Sequence, residues 1–181
     1  MSAQGSVRRR RSLFNPNSIV NALAACNLPN SLHPSGIATG AQVLGSIGMG
    51  AQGAWLGTLW MAARENHTPP ALLQRLVASR SEDTVITRAH SGKPCRVVRS
   101  DWIDAWSESA APAPLGMPLQ QVLTGDVFTA IHERNDARLI YEAAGQSVFG
   151  IQEETTIARQ MARLVHEMDE AWATMKSLED A

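Results

Sequence analysis

Two glycine-bearing turns about twenty residues apart constrain this chain more than any other feature. The first runs Pro34-Ser35-Gly36-Ile37-Ala38-Thr39-Gly40, and the second Gly50-Ala51-Gln52-Gly53-Ala54-Trp55-Leu56-Gly57-Thr58. Between them Val43, Leu44 and Ile47 recur at helical spacing, and Gly48 and Gly50 stop the helix. Ser31–Gly36 and Ala51–Leu56 read as short buried strands, with Gly57-Thr58 closing the second. The pattern is β–α–β with glycines at the carboxyl ends of both strands, where backbone can approach a phosphate closely.

In a TIM barrel, such a phosphate site is commonly built from the loops after the seventh and eighth strands. The glycine stretch resembles the end of a nitronate monooxygenase barrel (the former 2-nitropropane dioxygenases). Further pieces follow in the family's order: Asp83-Thr84-Val85, Ser91-Gly92-Lys93-Pro94-Cys95-Arg96, Pro118-Leu119-Gln120 and Ala144-Gly145-Gln146. The resemblance runs from about residue 34 to the last helix. It implies an α/β fold: a partial (β/α)8 TIM barrel, its last two βα units, with a mainly helical C-terminal extension. Three regions follow: an Arg-rich leader over 1–30, the barrel portion over 31–80, and the family's C-terminal segment over 81–181.

FMN is the cofactor the resemblance implies. Gly36, Gly57 and Thr58 match the positions that cradle its phosphate, with Ala38, Trp55 and Leu56 supplying neighbouring backbone. Gln146 matches a position near the flavin, although a helix-ending turn with a surface glutamine fits the same residues. Gly53 reads as a helix–strand packing glycine. Lys93 and Arg96 could face an anion but read better as part of a solvated hairpin. The implied reaction is oxidation of an alkyl nitronate by O₂ to a carbonyl compound and nitrite; a related flavin barrel reduces enoyl thioesters instead.

Two departures bear on activity. Pro34 sits inside the seventh strand and has no ladder donor, and Ser35 replaces a family glycine. The family's catalytic histidine belongs to a His-Gly-Gly-His-type loop that has no counterpart here. His33, His67, His90, His132 and His166 are scattered and read as packing or surface residues, and no HExxH pattern is present. A complete barrel takes roughly 250 residues, and this chain has 181. The expectation is the C-terminal portion of such an enzyme, with a truncated non-catalytic remnant as the alternative. Such a portion would form homo-oligomers or dock on a complementary barrel fragment to cover its strand edges.

Composition excludes other classes. Hydrophobic residues are 44% and charged residues 18%, enough for a core and too few charges for a disordered chain. A net charge of −1 gives no reason to expect nucleic acid or an anionic membrane as partner. Cys26 and Cys95 form no CxxC pair, which suggests neither a disulfide framework nor zinc, and a cytoplasmic location is the default. Arg8–Arg11 read as a solvated leader. Asn15, Pro16, Asn17 and Asn21 spoil an export signal, and without interleaved aromatics the arginines are thin support for a nucleic-acid arm.

Downstream, Thr58–Arg64 should continue into helix. Thr68 should cap a helix bearing Leu72, Leu73, Leu76 and Val77. Thr84–Arg88 and Arg96–Arg99 should form a hairpin or paired extended segments, followed by a short helix capped by Ser100-Asp101. Helices are predicted over Leu119–Ile131 and Ala137–Ala144. The last helix, capped by Thr155 or Thr156, carries the stripe Ile157, Met161, Leu164, Val165, Met168 and Trp172.

Overall fold

Thr39 opens the first helix because its hydroxyl and the Gln42 carboxamide satisfy each other's backbone. Thr39 Oγ1 accepts from Gln42 N at 3.2 Å and Gln42 Oε1 accepts from Thr39 N at 3.1 Å, a reciprocal capping box. In the computed structural model, which describes residues 36–51 and 53–178, this helix is α1 (Gly40–Gly48). It is the helix that Val43, Leu44 and Ile47 predict. The Arg-rich leader, His33, Pro34 and the body of the expected seventh strand lie outside the described residues.

The strand expected over Ala51–Leu56 is not seen among the described residues: residue 51 and residues 53–57 have no ladder partner there. A parallel strand exists only through hydrogen bonds to neighbours, and no described strand runs beside this segment. Gly53 packs against no described residue either, since a Cβ placed there meets none within 4 Å. After Gly57 the chain turns into tight 3₁₀ segments, Thr58–Ala62 and Arg64–Asn66, rather than a regular α-helix.

Helix α2 (Pro70–Ala78) has Pro69 at its N-cap and Pro70 in the first position, where no donor is needed. Thr68 does not cap it. Its hydroxyl donates to the Met61 carbonyl at 2.6 Å and accepts from Asn66 Nδ2 at 2.7 Å. Asn135, sixty-four residues away, supplies the missing acceptor by taking the Ala71 N–H at 2.9 Å. Leu72 and Leu76 are buried, Leu73 is half-buried and Val77 faces solvent.

The hairpin is as predicted. β1 (Thr84–Thr87) pairs antiparallel with β2 (Cys95–Val98), with Thr84 opposite Val98 and Thr87 opposite Cys95. Helix α3 (Asp101–Ala105) follows, and then α4 (Leu119–Glu133). The helix expected over Ala137–Ala144 does not form. Asp136 Oδ1 accepts from the N–H groups of Arg138 and Leu139 at 2.9 and 3.0 Å, a side-chain turn that competes with helix. The chain then runs beside β2, with Val98 N donating to Glu142 O and Ala144 N to Arg96 O, each at 3.1 Å.

A 3₁₀ segment (Gln146–Gly150) leads to α5 (Ile157–Ser177), whose cap is Thr156, accepting from Arg159 N at 3.2 Å. The apolar stripe of α5 is only partly covered. Leu164 is buried and Met161 and Met168 are half-buried, while Ile157, Val165 and Trp172 face solvent. The reason is length, since the nine-residue α1 packs against only part of the twenty-one-residue α5. The shared core joins Ala38, Leu59, Leu72, Leu76, Val97, Ile103, Ile140, Tyr141, Val148 and Leu164. No described helix is long and apolar enough to cross a membrane.

Candidate functional site

The described part of the first glycine turn, residues 36–40, is tied down by hydrogen bonds. Gly36 has φ +123°, a conformation that L side chains rarely adopt. Two residues on, Ala38 is fully buried, and its N–H donates to Gln42 Oε1 at 2.7 Å. Gly40 N donates to Glu167 Oε2 at 2.7 Å, so a carboxylate from α5 sits at the positive end of α1. Arg163 faces Glu167 at 3.4 Å and donates to the Ala38 carbonyl at 3.2 Å, tying the turn to α5.

In the second turn Trp55 is half in solvent, Leu56 leans on the core and Gly57 is exposed. Thr58 is buried, and its Oγ1 accepts the Gly145 N–H at 2.9 Å. That bond fixes the Gly145-Gln146 turn beside Thr58, and Ser81 Oγ holds the Gln146 carbonyl at 2.9 Å from the other side. Gln146 itself keeps its side chain in solvent. Among the described residues the N–H groups of Gly57 and Thr58 have no acceptor. Gly150 closes the arrangement, as a Cβ there would lie 2.7 Å from Ala38 Cβ and 2.9 Å from Leu59 Cδ2. The Ala38, Thr58–Leu59 and Gly145–Gly150 segments therefore meet at one place, although they are distant in sequence.

Lys93 and Arg96 do not join them. Lys93 is exposed, and Arg96 Nη1 bonds Thr84 O and Oγ1 at 3.0 and 3.1 Å, bracing the hairpin. The described residues contain no group of three His, Cys, Asp or Glu able to hold a metal.

Sequence reasoning missed an aromatic cluster built around Tyr141. The tyrosine is 1% exposed and stands edge-on to Phe128 and His90. His90 Nδ1 lies 3.4 Å from its hydroxyl, and His132 Nε2 lies 3.0 Å from its carbonyl. Both histidines thus serve packing, as expected of them. The signal that could have found the cluster is the i,i+4 pair Phe128 and His132 on one face of α4.

Burial pushes the Tyr141 phenol up to about 12. The folded chain then holds a proton that the unfolded chain gives up near pH 10, so stability falls as pH rises from about 10 to about 12. Tyr141→Phe is expected to flatten that alkaline fall in Tm measured against pH. An unchanged slope would assign it elsewhere. Burial, and after it the nearby Glu142, also raises the Cys95 thiol, which argues against a reactive thiolate.

The nitronate monooxygenase family model matches residues 20–167, a span that contains both glycine turns and the Gly145-Gln146 turn. The chain belongs to the nitronate monooxygenase family. A Mycobacterium tuberculosis protein named as a monooxygenase, Rv1533, is 42% identical over 102 residues, 56% of this chain and 27% of that protein. A Staphylococcus aureus (strain Newman) protein named as a probable nitronate monooxygenase is 34% identical over 112 residues, 62% of this chain and 31% of its own. The chain thus spans about a third of the length of the curated relatives it matches. Among solved structures, nitroalkane oxidase from Streptomyces ansochromogenes superposes with TM-score 0.68 at 28% identity, over 78% of this chain and 40% of that one. FabK from Thermotoga maritima, at 24% identity and TM-score 0.61 over 80% of this chain and 45% of that one, shares the fold.

Proposed function

We propose that this chain carries the phosphate-binding part of an FMN site of the nitronate monooxygenase type. In this reading residues 31–80 correspond to the last two βα units of the barrel and 81–181 to the family's C-terminal segment. The observation that carries it is the convergence of Ala38, Thr58 and the Gly145-Gln146 turn, pinned by the 2.9 Å bond from Gly145 N to Thr58 Oγ1.

The residues fit a phosphate on the Gly57-Thr58 side, where two backbone donors lack acceptors among the described residues and a Cβ at Gly57 would meet nothing within 4 Å. On the other side Gly36 leaves open space, while the N–H groups of Ala38, Thr39 and Gly40 are already taken by Gln42 and Glu167. Gly57 and Thr58 would therefore supply the donors, with Gly36 shaping the opposite wall. Trp55 and Leu56 would supply neighbouring backbone, and the solvent-exposed Gln146 would be free to hydrogen-bond the ring system. When bound, FMN supplies the redox chemistry linking the substrate to O₂. The substrate class is an alkyl nitronate or nitroalkane, with a carbonyl compound and nitrite as products, in the cytoplasm.

A second reading, flavin binding without turnover, is favoured by the described histidines. His90 and His132 are committed to Tyr141, His166 pairs with Glu170 at 3.3 Å, His67 lies exposed at the end of the 3₁₀ turn Arg64–Asn66, and none of these four stands at the site as a base. Nitrite release from propane-2-nitronate in the presence of FMN and O₂ separates the two. Turnover that falls at least tenfold in Thr58→Val supports the enzyme reading. Flavin bound tightly with no nitrite formed leaves the binding reading, and turnover indifferent to Thr58 and Gly57 overturns the assigned site.

A further inference from the structure

Over its first two turns, helix α4 buries its polar side and exposes its apolar one. Gln120 is fully buried and Thr124 is 5% exposed, whereas Leu119, Val122, Leu123 and Val127 are 43–77% exposed. Only further along do Phe128 and Ile131 reach the core. A helix with one wet side normally turns its apolar stripe toward the core. Here hydrogen bonds fix the opposite choice. Gln120 Oε1 accepts from Leu115 N at 2.9 Å, its Nε2 donates to the Ala89 carbonyl at 3.0 Å, and the Thr124 hydroxyl donates to the Gln120 carbonyl at 2.9 Å.

Leu119, Val122, Leu123 and Val127 are three and four residues apart, so they form one strip along the outer face. Leu115 and Met117, 43% and 51% exposed, lead into it. Among the described residues no element covers the strip. Six such side chains present on the order of 500 Å² of apolar surface, a patch of the size that marks interaction sites. Two copies face to face bury about 1,000 Å², the area a specific interface needs.

We propose that this strip is the interface of a symmetric homodimer, formed by two α4 helices crossing antiparallel at Leu123. A two-fold axis makes the surface its own partner. Leu123 meets Leu123 of the second copy, and Leu119 of each copy meets Val127 of the other. The charge pattern selects this crossing point. Asp126 is the one charged residue between Leu119 and Ala130. A crossing at Asp126 would set carboxylate against carboxylate. A crossing at Leu123 instead places each Asp126 beside the first turn of the other helix, its positive end. The net charge of −1 leaves little repulsion between copies. The interface uses none of the flavin-site residues and does not rest on that reading.

The test is the molar mass of the full 181-residue chain, without added FMN, by light scattering across a range of concentrations. The monomer is 19.6 kDa, and a species of twice that mass is expected to dominate. Leu123→Glu puts two carboxylates at the crossing and should weaken association at least a hundredfold. The variant should keep the parent's far-UV circular dichroism, because the side chain it replaces is exposed. Ile86→Glu, at another exposed apolar position on β1, should leave the dimer intact. Leu119→Lys and Val127→Glu should each dissociate the dimer, and the double variant should restore it. That pair also serves where the Leu123 variant does not fold. A parent that stays at 19.6 kDa, an assembly larger than a dimer, a dimer indifferent to Leu123→Glu, or a double variant that stays dissociated would overturn the assignment.

Discussion

Gly40→Ala is expected to lower the unfolding free energy by about 3 kcal/mol, the upper range for forcing a methyl into a closed contact. The added Cβ would run into the Leu164 carbonyl oxygen and lie 2.6 Å from Met168 N and 2.8 Å from Glu167 Cβ. Two of these three atoms are helix backbone, so no rotamer change relieves the contact and α5 must move off α1. That shift also breaks the bond from Gly40 N to Glu167 and the Arg163 bond to Ala38, loosening the first turn of the candidate site. Gly45→Ala in the same helix is the control, because its Cβ meets nothing within 4 Å. Alanine there should stabilise by about 0.5–1 kcal/mol through helix propensity. Urea unfolding of the two variants should therefore move in opposite directions, and equal shifts would refute the tight crossing.

Gly92→Ala is expected to cost about 2–4 kcal/mol, combining left-handed backbone strain with a steric contact. Gly92 has φ +83°, and a Cβ there would lie 2.5 Å from Met117 N and 2.6 Å from Leu115 O. The hairpin turn and the residues before α4 are stitched together just beside it. Gln120, fully buried, accepts from Leu115 N at 2.9 Å and donates to the Ala89 carbonyl at 3.0 Å. Pushing the turn away strains that bridge, so the loss should appear as a lower urea midpoint with little change in slope. A variant as stable as the parent would contradict the packed turn.

The parts legible in the sequence are those fixed by local chemistry. Helical spacing of Val43, Leu44 and Ile47 and the stop at Gly48 give α1, β-branched runs around a Gly-Lys-Pro turn make the hairpin, and Thr156, one of two candidate caps, starts α5. Tertiary partners decided the rest. Thr68 looks like a cap but bonds Met61, leaving the cap to Asn135, a partner that no local window contains. Ala137–Ala144 has helical residues, yet the Asp136 turn and pairing with β2 pull it extended. Ala51–Leu56 reads as a strand, but a ladder needs neighbours that the described residues do not provide.

The same division holds at the site. Gly36, Gly57, Thr58 and Gln146 were readable as family positions, and Thr58 and the Gly145-Gln146 turn do meet. What spacing could not show is that Glu167, from the last helix, occupies the Gly40 N–H at the start of α1. Nor could it show that Gln160 Nε2 and Arg163 Nε would be buried without a partner among the described residues.

The most direct test of the flavin site is the visible absorbance spectrum of the purified chain after FMN addition and desalting. Retained, near-stoichiometric flavin in the parent, and less in Thr58→Val, where the Gly145 N–H loses its acceptor and the turn beside the backbone donors is released, is the predicted result. A colourless parent protein would contradict the claim that Gly36, Gly57 and Thr58 form a working phosphate site in this chain.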